Sequence, residues 1–177
     1  MLETFPRGAA LAVLAPPSTR FAEIVGERGD AATQYVGLTG TQVPAHPALA
    51  MRENILLEGL DAVVDPVALL RGLAATAPEA RLFALVANAA HFGALAAFYA
   101  GKPLGDGHPL VINEIGPLLT IGGWRTITIN SIFDETIGAQ APPPVDLNLG
   151  SMRFHVTDEQ MLARGRVHAF VAIAEPS

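Results

Sequence analysis

The chain has 177 residues, 50% of them hydrophobic and 16% charged, with a formal net charge of −6 and no cysteine. That length suffices for one well-buried domain over residues 1–177 and leaves little room for a second. The acidic balance excludes the basic stripe that neutralises nucleic-acid phosphates, and the missing cysteines exclude disulfides and thiolate metal sites. The sparse charge leaves apolar surface for a protein partner or a second copy of the chain.

Residues 1–7 lack the order of basic, apolar and small residues that marks a secretory leader, so a cytoplasmic protein is expected. Residues 9–15, all Ala, Leu or Val, read as a first strand, and residues 21–28 as a helix that Ser18 or Thr19 can cap. Residues 33–39 are rich in β-formers and read as a second strand. From Gly40 to Arg52 the chain carries Pro44, Pro47, His46 and Gln42 and shows no clear element.

Residues 54–92 hold the strongest pattern. Two short apolar runs without alternation, at 54–58 and 82–87, flank one helical segment, which is the signature of strands buried on both faces and joined by a crossover helix. Asp65 can accept from the free amides of that helix's first turn, and Pro66 stands where a missing N–H costs nothing. Leu69, Leu70 and Leu73 share one face, and Pro78 ends the segment. From Leu82 to Gly101 the chain is almost wholly apolar, but Asn88 and His91 interrupt it and no basic flank orients it. A buried strand running into a helix over residues 92–100 is therefore expected instead of a membrane span.

The residues Glu58-Gly-Leu-Asp61-Ala-Val-Val-Asp65-Pro66, followed after a helix by Arg81 to His91, resemble the stretch after the fourth strand of class I S-adenosylmethionine-dependent methyltransferases. Asp61 matches the family's acidic residue, Ala62 stands in place of His, Asn88 matches the Asn that closes the fifth strand, and Ala87 replaces a Pro. The resemblance implies an α/β fold: a three-layer, Rossmann-like, mostly parallel sheet with a late antiparallel hairpin. The thirteen or so residues from Gly40 to Arg52 cannot hold the further strand and helices of the family, so the third strand is expected to be missing.

Beyond residue 100, residues 101–109 read as a loop and residues 110–123 as a late helix that starts or kinks at Pro117, before Trp124. Residues 125–133 alternate Ile with polar residues, as a strand with one solvated face does. Residues 139–144 read as an extended linker and Thr157 to Gln160 as a capping box. The helix behind that box runs to Arg164 with Gly165 as its stop, and residues 166–174 form the last strand.

No nucleophile elbow, phosphate loop or cysteine nucleophile is present, and the five histidines lack the spacing that puts two on one metal. Two functional readings follow from the resemblance. In an active enzyme, S-adenosylmethionine would be held at the strand ends by Ala15, Ser18, Thr39 and Glu58, with Asp61 or His91 as base. Against this, the turn after the first strand is Ala15-Pro16-Pro17-Ser18, where the family has glycines, and Thr39 stands where the family places a ribose-binding carboxylate. The second reading, and the expected one, is a methyltransferase-like domain that has lost its cofactor and serves as an interaction or assembly module.

Overall fold

A computed structural model of the chain describes residues 9–16, 21–29, 33–38, 49–102, 109–137 and 142–177. Its elements in order are β1 (Leu11–Ala15), α1 (Phe21–Arg28), β2 (Thr33–Gly37), β3 (Asn54–Glu58), α2 (Pro66–Thr76), β4 (Arg81–Ala87), α3 (Phe92–Tyr99), α4 (Ile112–Ile121), β5 (Trp124–Phe133), β6 (Val145–Leu149), β7 (Met152–Val156), α5 (Glu159–Arg166) and β8 (Val167–Pro176). The expected helix caps Ser18 and Thr19, most of the loop at 101–109 and much of the linker at 139–144 lie outside the described residues.

Six strands form one sheet in the order β2-β1-β3-β4-β8-β5. The pairs β1–β2, β1–β3 and β3–β4 are parallel, while β8 runs antiparallel to both β4 and β5. The late reversed strand is thus inserted one place in from the sheet's edge. Among the described residues no strand lies outside β2; residues 39–48, where a third strand would fall, lie outside them.

The unalternating runs behave as their composition dictates. Ile55 and Leu57 of β3 enter the main core beneath α2 and α4, whereas Leu56 between them faces a smaller cluster with Leu11, Val13 and Val25 of α1. Helices on both faces of the sheet give the three layers. In α2, Asp65 accepts from the Ala68 N–H at 2.9 Å, Pro66 opens the first turn, and Leu69, Leu70 and Leu73 are fully buried. Trp124 is likewise sealed, its indole N–H donating to the Leu70 carbonyl at 2.9 Å.

Four local expectations are corrected. Helix α4 begins at Ile112 and passes through Pro117; the carbonyl that Pro117 leaves without its helical partner belongs to exposed Asn113, which water can satisfy. The cap of α5 is Asp158, accepting from the Met161 N–H at 2.8 Å, and Thr157 bonds only to that carboxylate. Gly165 does not stop α5 but lies inside it, because the Phe92 ring rests on it. Residues 145–156, given no element above, form the hairpin β6–β7 around Gly150, which has positive φ. Their alternation of apolar and polar residues about Gly150-Ser151 is a regular hairpin signal. The hairpin is tied across its strands by Asp146, which pairs with Arg153 and bonds His155 at 2.9 Å, Arg153 first and His155 second holding the Asp146 carboxyl down at about 2. With Phe92 and Leu162 it encloses a satellite core.

In β5 the alternation is broken by a register shift between Thr126 and Thr128. Ile127 is therefore 47% exposed while Ile129 packs on the main core.

A methyl group at Gly165 would stand 2.2 Å from the Phe92 ring. Gly165→Ala is expected to destabilise the protein by roughly 1–3 kcal/mol through overpacking, despite alanine's better helix propensity. Urea unfolding followed by circular dichroism measures this.

Candidate functional site

In an open, mostly parallel sheet, ligands gather at the carboxyl ends of the strands. At the end of β1, Ala15 has no exposed surface, and its carbonyl accepts from the Leu38 N–H at 2.8 Å and the Tyr35 hydroxyl at 3.1 Å. Pro16 follows and has no N–H to offer. Its ring lies against Gly59 at the end of β3: a Cβ added at Gly59 would meet Pro16 Cγ at 2.8 Å and Cδ at 3.0 Å. Gly59 has a φ of +81, so the position suits glycine on both grounds. These two strand ends therefore offer a nucleoside neither a free carbonyl at Ala15 nor open space above Gly59. Ser18 and Thr39 lie outside the described residues.

Glu58 closes β3 and is half-buried. Two residues past Gly59, Asp61 sits in a short 3-10 turn, Leu60–Ala62. Burial pushes the Asp61 carboxyl above its ordinary value, while backbone hydrogen bonds at Asp61 itself and at Ala87 pull it back. The turn thus rests on the end of β4.

Beyond that end, Asn88 is buried and fully employed. Its amide donates to Val167 O at 2.7 Å and Arg164 O at 3.4 Å, its side-chain oxygen accepts from the Ala90 N–H at 3.0 Å, and its own N–H donates to His168 O at 3.0 Å. The residue that the sequence aligns with a family motif is here a clasp between β4 and the junction of α5 with β8.

His91 occupies the cap position of α3 without capping it. Its ring folds over Gly93, where a Cβ would stand 2.8 Å from the imidazole Cε1. Nε2 lies 3.4 Å from an Asp134 carboxylate oxygen, and the ring meets His168 edge-on at 5.2 Å. Burial, and then the neighbouring His168, lower the His91 pKa below 6.5, with Asp134 opposing. Asp134 is itself held low, first by the Thr136 hydroxyl and then by the Thr136 N–H.

Asp61 and His91 thus flank the end of β4 with separate partners, and among the described residues no hydrogen bond or ion pair joins them. Sequence reasoning singled out His91 but not Asp134 or His168, whose proximity depends on the insertion of β8 beside β4. Among the described residues no set of three His, Asp or Glu side chains could hold a metal ion, and no helix is long and apolar enough to cross a membrane.

No protein-family profile and no curated protein matches the sequence. Solved structures do match in fold. A chain of the complex between the Haloferax volcanii Trm112 methyltransferase activator and a methyltransferase superposes with a TM-score of 0.61 at 12% identity, over 99% of this chain and 86% of that one. A SAM-dependent methyltransferase from Thermotoga maritima matches with a TM-score of 0.58 at 13% identity, over 98% and 84%. An O-methyltransferase from neocarzinostatin biosynthesis, in complex with S-adenosylhomocysteine and 1,4-dihydroxy-2-naphthoic acid, matches with a TM-score of 0.51 at 15% identity, over 94% of this chain but only 42% of that enzyme. The fold is that of the class I S-adenosylmethionine-dependent methyltransferases.

Two outcomes follow from this geometry. Gly59→Ala should cost roughly 1–3 kcal/mol, from positive-φ strain and collision with the proline ring. Adding Pro16→Ala should recover part of that loss, as a double-mutant cycle in urea would record. Second, the unfolded chain takes up a proton on His91 near its ordinary value, whereas the folded chain resists it. The stability this contributes is complete above pH 6.5 and is lost as pH falls through that value toward the lower folded pKa. Melting temperature between about pH 7.5 and 5 should therefore fall more steeply in the wild type than in His91→Gln.

Proposed function

We propose that the chain is a cytoplasmic, methyltransferase-like module that no longer holds S-adenosylmethionine and acts through association with a protein partner or with a second copy of itself. The observation that carries this reading is the seating of the Pro16 ring on Gly59, at the strand ends where the family's cofactor is cradled. The doubly bonded carbonyl of Ala15 supports it from the same place. So does Thr39, which offers no carboxylate for a ribose. The first two features meet at one pair of strand ends, whereas unselected drift would scatter its damage.

The association half of the proposal draws on the low charge content and on exposed side chains such as Phe98 at 51%, Tyr99 at 66% and Ile121 at 57%. It also accords with the Haloferax volcanii methyltransferase, which is found with an activator protein. Fold does not fix activity; the site does. The competing reading, an active methyltransferase with Asp61 or His91 as base, draws on the preserved fold and on the raised Asp61 carboxyl.

A thermal-shift titration separates the two. A ligand bound with micromolar affinity adds about 4 kcal/mol at a thousandfold excess over its Kd, several degrees for a domain of this size. Neither S-adenosylmethionine nor S-adenosylhomocysteine at millimolar concentration is expected to move the melting temperature. A saturable rise with either would overturn the proposal.

A further inference from the structure

A cavity of about 530 Å³ lies on the far side of β4 from Pro16, walled by the turn after β4, the first turn of α4, the end of β5 and the junction of α5 with β8. Its volume falls within the range of small-molecule sites, roughly 300–1,000 Å³. The floor is rigid, because Asn88 is fixed by its hydrogen bonds to Val167, Arg164 and Ala90 and by a parallel bridge to Leu110. Most of the wall is apolar, including buried Phe170. At the mouth stand Ile112, 47% exposed, and Phe133, 52% exposed. Two large apolar side chains left in water beside one hollow would gain burial from an apolar occupant.

Charge decides what else that occupant carries. Among the described residues lining the cavity Arg164 alone is charged and none is a carboxylate, on a chain whose formal net charge is −6. Arg164 also lines a neighbouring hollow, where Asp158 stands and feels its charge, but Asp158 does not line this cavity. Ser131 adds a hydroxyl to the wall.

We propose that this cavity binds a small monoanionic amphiphile, its apolar body against Ile112, Phe133 and Phe170 and its acidic group at Arg164. Neither Pro16 nor Gly59 lines the cavity, so this binding does not depend on whether the cofactor is held.

The test uses the full chain and two fluorescent probes of similar shape, anionic 8-anilinonaphthalene-1-sulfonate and uncharged N-phenyl-1-naphthylamine. Both should bind saturably with one site per chain. Arg164→Gln should weaken the anionic dye by about tenfold or more, the effect of losing one charged hydrogen bond, and leave the neutral dye within about twofold. Phe133→Asp should weaken both. Arg164 and Phe133 are exposed, so both variants should keep their fold, checked by circular dichroism. Competition on the unaltered protein needs no variant: decanoate should displace the anionic dye at lower concentration than decanol. Absence of saturable dye binding, an Arg164→Gln protein that holds the anionic dye unchanged, or equal displacement by decanoate and decanol would each overturn the proposal. A melting-temperature rise with S-adenosylmethionine in the same samples would count against the cofactor-free reading alone.

Discussion

The contact between the Pro16 ring and the left-handed turn at Gly59 is the constraint on which the functional account rests. Two adjacent parallel strands, β1 and β3, release their chains at neighbouring points of the sheet. Whatever the chain places there decides whether a ligand can approach the backbone. A glycine at the first point would leave an N–H and open space. A proline removes the donor and supplies a ring, and Gly59, lacking a Cβ, lets that ring come close. The same exchange appears one atom back, where Tyr35 and Leu38 of the neighbouring segment take up the Ala15 carbonyl. Protein groups thus occupy the Ala15 carbonyl and lie against Gly59.

The other half of the sheet is organised by a different residue. Asn88 follows β4; its amide N–H groups donate to the point where α5 becomes β8 while its side-chain oxygen holds the turn at Ala90, so the reversed strand enters beside β4 in a defined register. From that insertion come the meeting of His91 with Asp134 and His168, and the cavity bounded by Phe170, Phe133 and Ile112. A buried amide with all its bonds made specifies one arrangement, because any other would leave polar atoms unpaired. The sheet therefore carries a proline packed on a glycine toward one edge and a hollow over a fixed amide toward the other.

Much of this was legible in the sequence where a local rule acts alone. Asp65-Pro66 announces a helix start, and the unalternating runs of β3 and β4 announce burial on both faces, as Leu56 and Leu57 show by entering different cores. The residues aligned with the methyltransferase family led to the correct sheet, including its late reversal. What escaped reading was set by tertiary contact. Gly165 reads as a stop until the Phe92 ring is seen resting on it, and Pro117 reads as a break until its solvated setting is seen. The β6–β7 hairpin carried a sound signal in its alternation and its Gly150-Ser151 turn, which the neighbouring prolines masked. The partners of His91, Asp134 just past β5 and His168 in β8, lie dozens of residues away and leave no trace in local pattern.

The central claim is most directly tested by an amide-resolved NMR titration of the protein with S-adenosylhomocysteine, following the backbone signals of Leu38, Gly59 and Asp61. With the Pro16 ring seated on Gly59, these signals should stay in place up to millimolar ligand. Saturable, localised movement of the three would contradict the account, since it would require a nucleoside to lie where the proline ring now rests.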